Sequence, residues 1–283
     1  MFTTNPFAEV STFIPTAVMQ GYIILMVLLV AGGTVVDMVL KKNAKYFFEN
    51  ARKAKTQAKR TVGGAEKTSL AVQTLAKEVL TSGEFANPQR RLSHLFTMYG
   101  FILFVVTTAI LIFGYPTAAD QAPAILALLW HLGALMLCFG GYWFWFRIRV
   151  DVSAEGNPWY RIVRADMFIL SLLAMATFGL IWSILQSGGA SGLDTLFFVL
   201  FIAATTFLFG TVYWSKFAHM FFKPAAAYQK RVIKADGSRE NLPEIPELTD
   251  PEVKEMYPDI PEYMGDKPPY MGLGINREAP SHY

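Results

Sequence analysis

Positive charge is confined to three blocks of this chain: all 25 Lys and Arg residues fall within 41–91, 147–164 and 216–277. Before and between those blocks lie apolar runs at roughly 16–40, 95–115, 124–146, 166–186 and 195–218. Each run is long enough to approach or exceed the about 20 residues that a helix needs to cross about 30 Å of hydrocarbon. The segregation predicts five membrane spans with every basic block on one side, the cytoplasmic side by the usual bias of Lys and Arg. An odd number of crossings then places Met1 outside and the segment after Phe222 inside. The first run lacks a basic leader and is followed at once by Lys41 and Lys42, so it reads as a retained anchor rather than a cleaved signal. The expected fold class is all-α: an integral membrane five-helix bundle with a cytoplasmic helical segment and an extended C-terminal tail. The expected units are 1–40 (outer N-terminus and first span), 41–92 (cytoplasmic helical segment), 93–222 (four further spans) and 223–283 (acidic cytoplasmic tail). A composition that is 53% hydrophobic agrees with this class.

The net charge of +3 conceals an asymmetry. Segment 41–92 carries twelve basic residues against Glu49, Glu66, Glu78 and Glu84, whereas 240–283 carries ten acidic residues against Lys254, Lys267 and Arg277. A basic segment beside a bilayer contacts anionic lipid, and nothing in its pattern supports nucleic-acid binding. The single cysteine, Cys138, lies in the third run and reads as a small apolar packing residue. One thiol excludes an iron–sulfur cluster held by this chain. Electron transfer here would have to use haem, quinone or the centres of a partner.

The first span is expected to run on through Lys42–Lys59 until Gly63-Gly64 breaks it. Within 66–81, Val72, Leu75, Ala76, Val79 and Leu80 recur at helical spacing, which predicts an amphipathic helix for the lipid surface or a partner. The aromatic clusters Tyr142–Phe146 and Tyr213-Trp214 stand at span ends, as interfacial belts do. Gly32-Gly33 and Gly140-Gly141 mark close helix contacts.

Of four histidines, His94, His131 and His219 lie in or at the ends of spans. The chain enters the membrane at His94 and leaves it at His219, so antiparallel helices set the two at matched depth. They are either interfacial histidines open to water or the two axial ligands of a b-type haem. Arg90, Arg91, Lys216 and Lys223 are the cations available for propionates. His131 sits near the opposite end without a second histidine at its depth. It serves helix packing or binds a quinone oxygen. Asp37 precedes Lys41 by one turn and snorkels with it, and Asp166 opens the fourth span, where negative charge is favourable; the alternative for either acid is relaying protons to a quinone on the inner side.

The segments RRLSHLFTMYGF (90–101) and SKFAHMFFKP (215–224) resemble the haem-ligating helix ends of the membrane subunit of quinone-interacting oxidoreductases of sulfur metabolism. They resemble more remotely the gamma subunit of respiratory nitrate reductase. The five-span plan over 16–222 carries the likeness. This chain lacks the cysteine-bearing iron–sulfur domain of the former, and in that reduced form resembles the membrane anchor of dissimilatory adenylylsulfate reductase. The resemblance implies a bacterial-type inner-membrane subunit that links a soluble flavin and iron–sulfur oxidoreductase to the quinone pool. It matches His94 and His219 to the haem ligands. Two-haem relatives have a further, deeper histidine on each helix and this chain has none there, so the resemblance implies one haem b at most, with quinone as substrate. Whether the subunit is itself catalytic is left open by the residues. The alternative is a cofactor-free tether for the same enzyme.

The tail after Pro224 holds Pro243, Pro246, Pro251, Pro258, Pro261, Pro268, Pro269 and Pro280, which predicts extended chain. Tyr257, Tyr263 and Tyr270, interleaved with acids, are the expected anchors for a partner.

Overall fold

Two helix starts are written directly in the sequence. Asn5 before Pro6 and Asn87 before Pro88 each combine a side-chain acceptor with proline at the first helical position. Asn5 Oδ1 accepts from the Phe7 N–H at 3.0 Å, and Asn87 Oδ1 accepts from Gln89 and Arg90 at 2.9 and 3.2 Å. A computed structural model describes residues 2–85, 87–152, 155–189, 192–238 and 251–256. Among them the chain is helical, with no strand: α1 (Pro6–Val10), α2 (Thr16–Lys41), α3 (Asn43–Thr56), α4 (Gly64–Thr74), α5 (Pro88–Gly114), α6 (Ala124–Trp143), α7 (Met167–Ser187), α8 (Leu193–Gly210), α9 (His219–Asp236) and α10 (Pro251–Met256). Wider π turns, Leu75–Leu80 and Phe144–Ile148, extend α4 and α6.

Five helices are long and apolar enough to cross a membrane: α2, α5, α6 with its π turn, α7 with the short turn before it, and α8. These are the five runs expected, and a helix is the fold that satisfies backbone polar groups within lipid. The expected all-α membrane bundle is therefore the fold. α5 and α6 form one hairpin, α7 and α8 a second, and α6 packs on α7 to join them.

Glycine sets the first hairpin. A Cβ on Gly133 would stand 2.7 Å from Phe104 N, one on Gly100 2.7 Å from Leu137 N, and one on Gly140 2.6 Å from the Ser93 carbonyl oxygen. Backbone therefore meets backbone along the seam, the geometry that small residues permit in lipid. The Ser93 hydroxyl closes it by donating to the Gly140 carbonyl at 2.7 Å. Gly33 and Gly141 also make the expected close contacts, with Val212 and Leu173, whereas Gly32 faces open space.

Aromatic rings fill the middle. Trp130, fully buried, tilts over Phe104 at 4.8 Å and donates its indole N–H to Thr108 at 2.9 Å; Trp182 stacks on Phe201 at 5.7 Å. At the charge-poor end the N-terminal segment, expected only as an outer extension, folds back onto the bundle. Phe7 of α1 wedges between Trp130 and Trp182, 5.8 and 5.4 Å away, and Asn5 donates to the Tyr115 carbonyl.

α2 stands apart from this core. Only Met19, Met26 and Asp37 of its 26 residues are buried. It leans on α8 through Tyr22, whose hydroxyl lies 2.9 Å from Thr206 Oγ1, and on the turn after α8 through Gly33 against Val212. Between α2, α5 and α8 runs an apolar groove of about 460 Å³.

At the basic end the expected run-on from the first span is interrupted: Lys42 turns left-handed (φ 54°), and α3 restarts at Asn43. The apolar stripe expected within 66–81 stays open, with Val72, Leu75 and Leu80 exposed, and it is the opposite face, with Thr74 buried, that meets the chain itself. α4 and its π turn pack on α9, with Arg231–Glu78 at 2.7 Å and the Lys223–Glu84 pair along the contact. Lys59 and Arg60 both donate backbone N–H groups to the Asp236 carbonyl, and Arg60 grips Glu66 with both terminal nitrogens. Helix α9 reaches Asp236, so the stretch from 223 that was expected to be extended is ordered helix for its first fourteen residues. The fifth span also ends sooner than expected, at Gly210, and 211–218 turns before α9 begins.

The connection from α6 to α7 is organised by Arg149, which is fully buried. Its five N–H groups reach Asp166 twice and the carbonyls of Asn157, Pro158 and Arg161. Its guanidinium also lies 4.3 Å from the Trp145 ring centroid. Trp145 is consequently buried beneath Arg149 and is no member of an interfacial belt, and Asp166 is an ion-pair partner as well as a helix-opening acid.

Candidate functional site at the basic end

α5 and the start of α9 bring His94 and His219 to one corner, where the Glu84–Lys223 ion pair lies within electrostatic reach of both rings and each ring is within reach of the other's surroundings. His219 does not end the fifth span, as expected, but opens α9 after the turn 211–218, so the two histidines approach from a span and a separate helix. A residue not singled out there orients His94. Ser82 is fully buried with a left-handed backbone (φ 47°), and its hydroxyl lies 2.9 Å from His94 Nδ1. A serine held at positive φ is locally strained, so the surrounding turn must fix it. The bond occupies Nδ1 and leaves Nε2 with no hydrogen-bond partner among the described residues, the arrangement by which outer groups orient a metal-binding imidazole. The Ser82-Gly83 dipeptide signals a turn in the sequence and nothing more.

Phe85 lies against the His94 ring, centroids 4.9 Å apart, and Arg90 and Lys223 sit over Phe85 at 5.6 and 5.2 Å. Arg90 also pairs with Glu155 at 3.0 Å. Arg91 donates to the Thr81 carbonyl at 2.7 Å. Lys216 lies beside His219. Among the cations expected at the site, Arg90 and Lys223 are thus near His94, Lys216 near His219, and Arg91 is engaged with backbone.

His219 keeps an exposed edge, yet its ring is pushed below the ordinary 6.5 chiefly by desolvation, then by Lys223, with Lys216 adding and Glu84 opposing. A lowered histidine favours the fold while neutral: its contribution is complete above about pH 6.5 and is lost as pH falls, because the unfolded chain takes up the proton first. Histidine-selective NMR is expected to give a midpoint below 6.5 that rises on Lys216→Gln; a midpoint at or above 6.5 would contradict this electrostatic picture.

Beside His219 opens a cleft of about 880 Å³ whose walls include Asp37, Lys41, Arg164, Trp214, Lys216 and Lys223, but not His94. Asp37 is buried and ion-paired with Lys41, as their one-turn spacing suggests. His131 lies at the other end of the bundle. Its Nδ1 is 2.7 Å from the Ala127 carbonyl and its Nε2 2.8 Å from Ser183 Oγ, so it links α6 to α7. Cys138 packs half-buried against the core and approaches Thr177 at 3.6 Å. Tyr257, Tyr263 and Tyr270 lie outside the described residues. Among the described residues no three His, Cys, Asp or Glu side chains gather to hold a bare metal ion.

The architecture is that of a multi-pass helical membrane protein. Comparison of the chain with protein-family models, with curated proteins and with solved structures finds no match.

Proposed function

We propose that this chain is a membrane anchor and electron-transfer subunit, resembling that of dissimilatory adenylylsulfate reductase, which links a soluble cytoplasmic flavin and iron–sulfur enzyme to the quinone pool of an inner membrane. In this reading the basic end faces the cytoplasm, following the bias of Lys and Arg, and Met1 lies outside. The observation that carries the proposal is the meeting of His94 and His219 at one corner, with Ser82 holding Nδ1 of the first and Arg90, Lys223 and Lys216 close by. Two imidazoles with neighbouring cations are a donor set that fits one b-type haem. His94 and His219 would hold its iron, and the group supplies a one-electron relay between partner and membrane. The apolar groove between α2, α5 and α8 suits the isoprenoid chain of a quinone. The acidic tail would dock the enzyme through Tyr257, Tyr263 and Tyr270.

The second reading, a cofactor-free tether, is favoured by one observation. The groups around the two histidines already satisfy one another, Ser82 with His94, Glu84 with Lys223 and Arg90 with Glu155. Protein purified with haem in supply is expected to show a dithionite-reduced b-type band that His94→Ala and His219→Ala each abolish and His131→Ala leaves. Wild-type protein without the band would decide for the tether.

A further inference from the structure

We infer that the cleft between the end of α2, the turn before α7 and the start of α9 is a binding site for the phosphate headgroup of an anionic phospholipid. The inference does not depend on the haem. Four cations, Lys41, Arg164, Lys216 and Lys223, line this cleft against the single carboxylate of Asp37. Two of the four are already paired, Lys41 with Asp37 and Lys223 with Glu84. Arg164 and Lys216 have no carboxylate partner among the described residues; Arg164 lies over the Trp214 ring, 4.8 Å from its centroid. Cations left together in one concavity repel each other until an anion joins them, and a phosphate offers several acceptor oxygens to do so.

Position decides for a lipid. Asp37 and Lys41 end α2, and Arg164 opens the turn into α7, so the cleft lies at the boundary of two membrane spans. Trp214 and Tyr213 in its wall are the residue types that favour the headgroup level. Its rim is apolar toward the spans: Leu40 and Phe207 are exposed, and Phe207 stands edge-on to Trp214 at 6.2 Å. An acyl chain can run upward over that surface while the headgroup stays among the cations. α2, with three buried residues, is the helix with most to gain. A lipid held at once by Lys41 of α2, Arg164 before α7 and Lys216 before α9 would secure it laterally.

The test is titration of the full-length protein in neutral detergent with dioleoyl phosphatidylglycerol or dioleoyl phosphatidylcholine, followed by native mass spectrometry. Phosphatidylglycerol should bind in preference. Lys216→Gln should weaken it about fivefold, the effect of removing one cation near a membrane surface, and Lys216→Arg should restore it. Lys216 is exposed and has no ion-pair partner among the described residues, so this substitution leaves the fold intact. Millimolar inorganic phosphate should not displace the lipid. Equal binding of the two lipids by the wild type, or unchanged phosphatidylglycerol binding by Lys216→Gln, would overturn the assignment. Displacement by inorganic phosphate would overturn it too, and would give the cleft to a soluble anion.

Discussion

Arg149→Met is expected to lower stability by about 3–5 kcal/mol, the range for removing one member of a buried ion pair. The cause is the number of groups that Arg149 satisfies at once. Its removal leaves Asp166 charged and nearly buried, and strips a donor from the carbonyls of Asn157, Pro158 and Arg161. Asp166 retains the Val163 N–H at 2.8 Å, which is insufficient for a carboxylate placed there. Adding Asp166→Asn to Arg149→Met should recover part of the loss, since the residual charge is gone while the contact to Val163 survives. Thermal unfolding of the detergent-solubilised protein measures both variants. A single variant as stable as the wild type would mean that the loop from 149 to 166 does not depend on this guanidinium.

Gly133→Leu is expected to have a comparable effect, at least the about 1–3 kcal/mol of an overpacked core. The obstacle is the main chain of α5, with Phe104 N 2.7 Å from the new Cβ, and a main chain cannot rotate aside as a side chain can. The two helices must separate, which opens the seam at Gly100 and Gly140 as well. Gly32→Leu is the control, because nothing lies within 4 Å of a Cβ there. It changes a helix glycine to the same residue and even gains helix propensity. If both variants unfold at the same temperature, backbone contact does not hold the α5–α6 hairpin together.

These two sites differ in how far the sequence discloses them. The five spans are legible because lipid imposes one rule on every residue of a crossing, and apolar runs of the required length satisfy it visibly. The close contacts at Gly33, Gly140 and Gly141 follow from residue size, but size cannot separate them from Gly32, which has the same neighbours in sequence and no neighbour in space. Asp166 is readable as an acid at a helix start. Its bond to Arg149 is not, since the loop that joins them closes through backbone carbonyls, which every residue possesses. Likewise the nearness of His94 and His219 depends on the turn 211–218 that starts α9, which apolar periodicity does not mark, and Ser82 reaches His94 only because a turn forces it to positive φ. The N-terminal helix α1 is five residues long, too short for periodicity to mark, although its Asn5-Pro6 start is present.

The ring-filled axis of the bundle bears on the movement of charge. A proton crosses a membrane protein along a file of groups that hand it on by hydrogen bonding, and a solute crosses through a lumen. Here Phe7 stoppers the charge-poor end, Trp130, Phe104, Trp182 and Phe201 occupy the interior, and His131 is tied to its two neighbours. Such a body behaves as a dielectric plug. The open path beside it is apolar and lateral, the groove that α2 leaves along its flank.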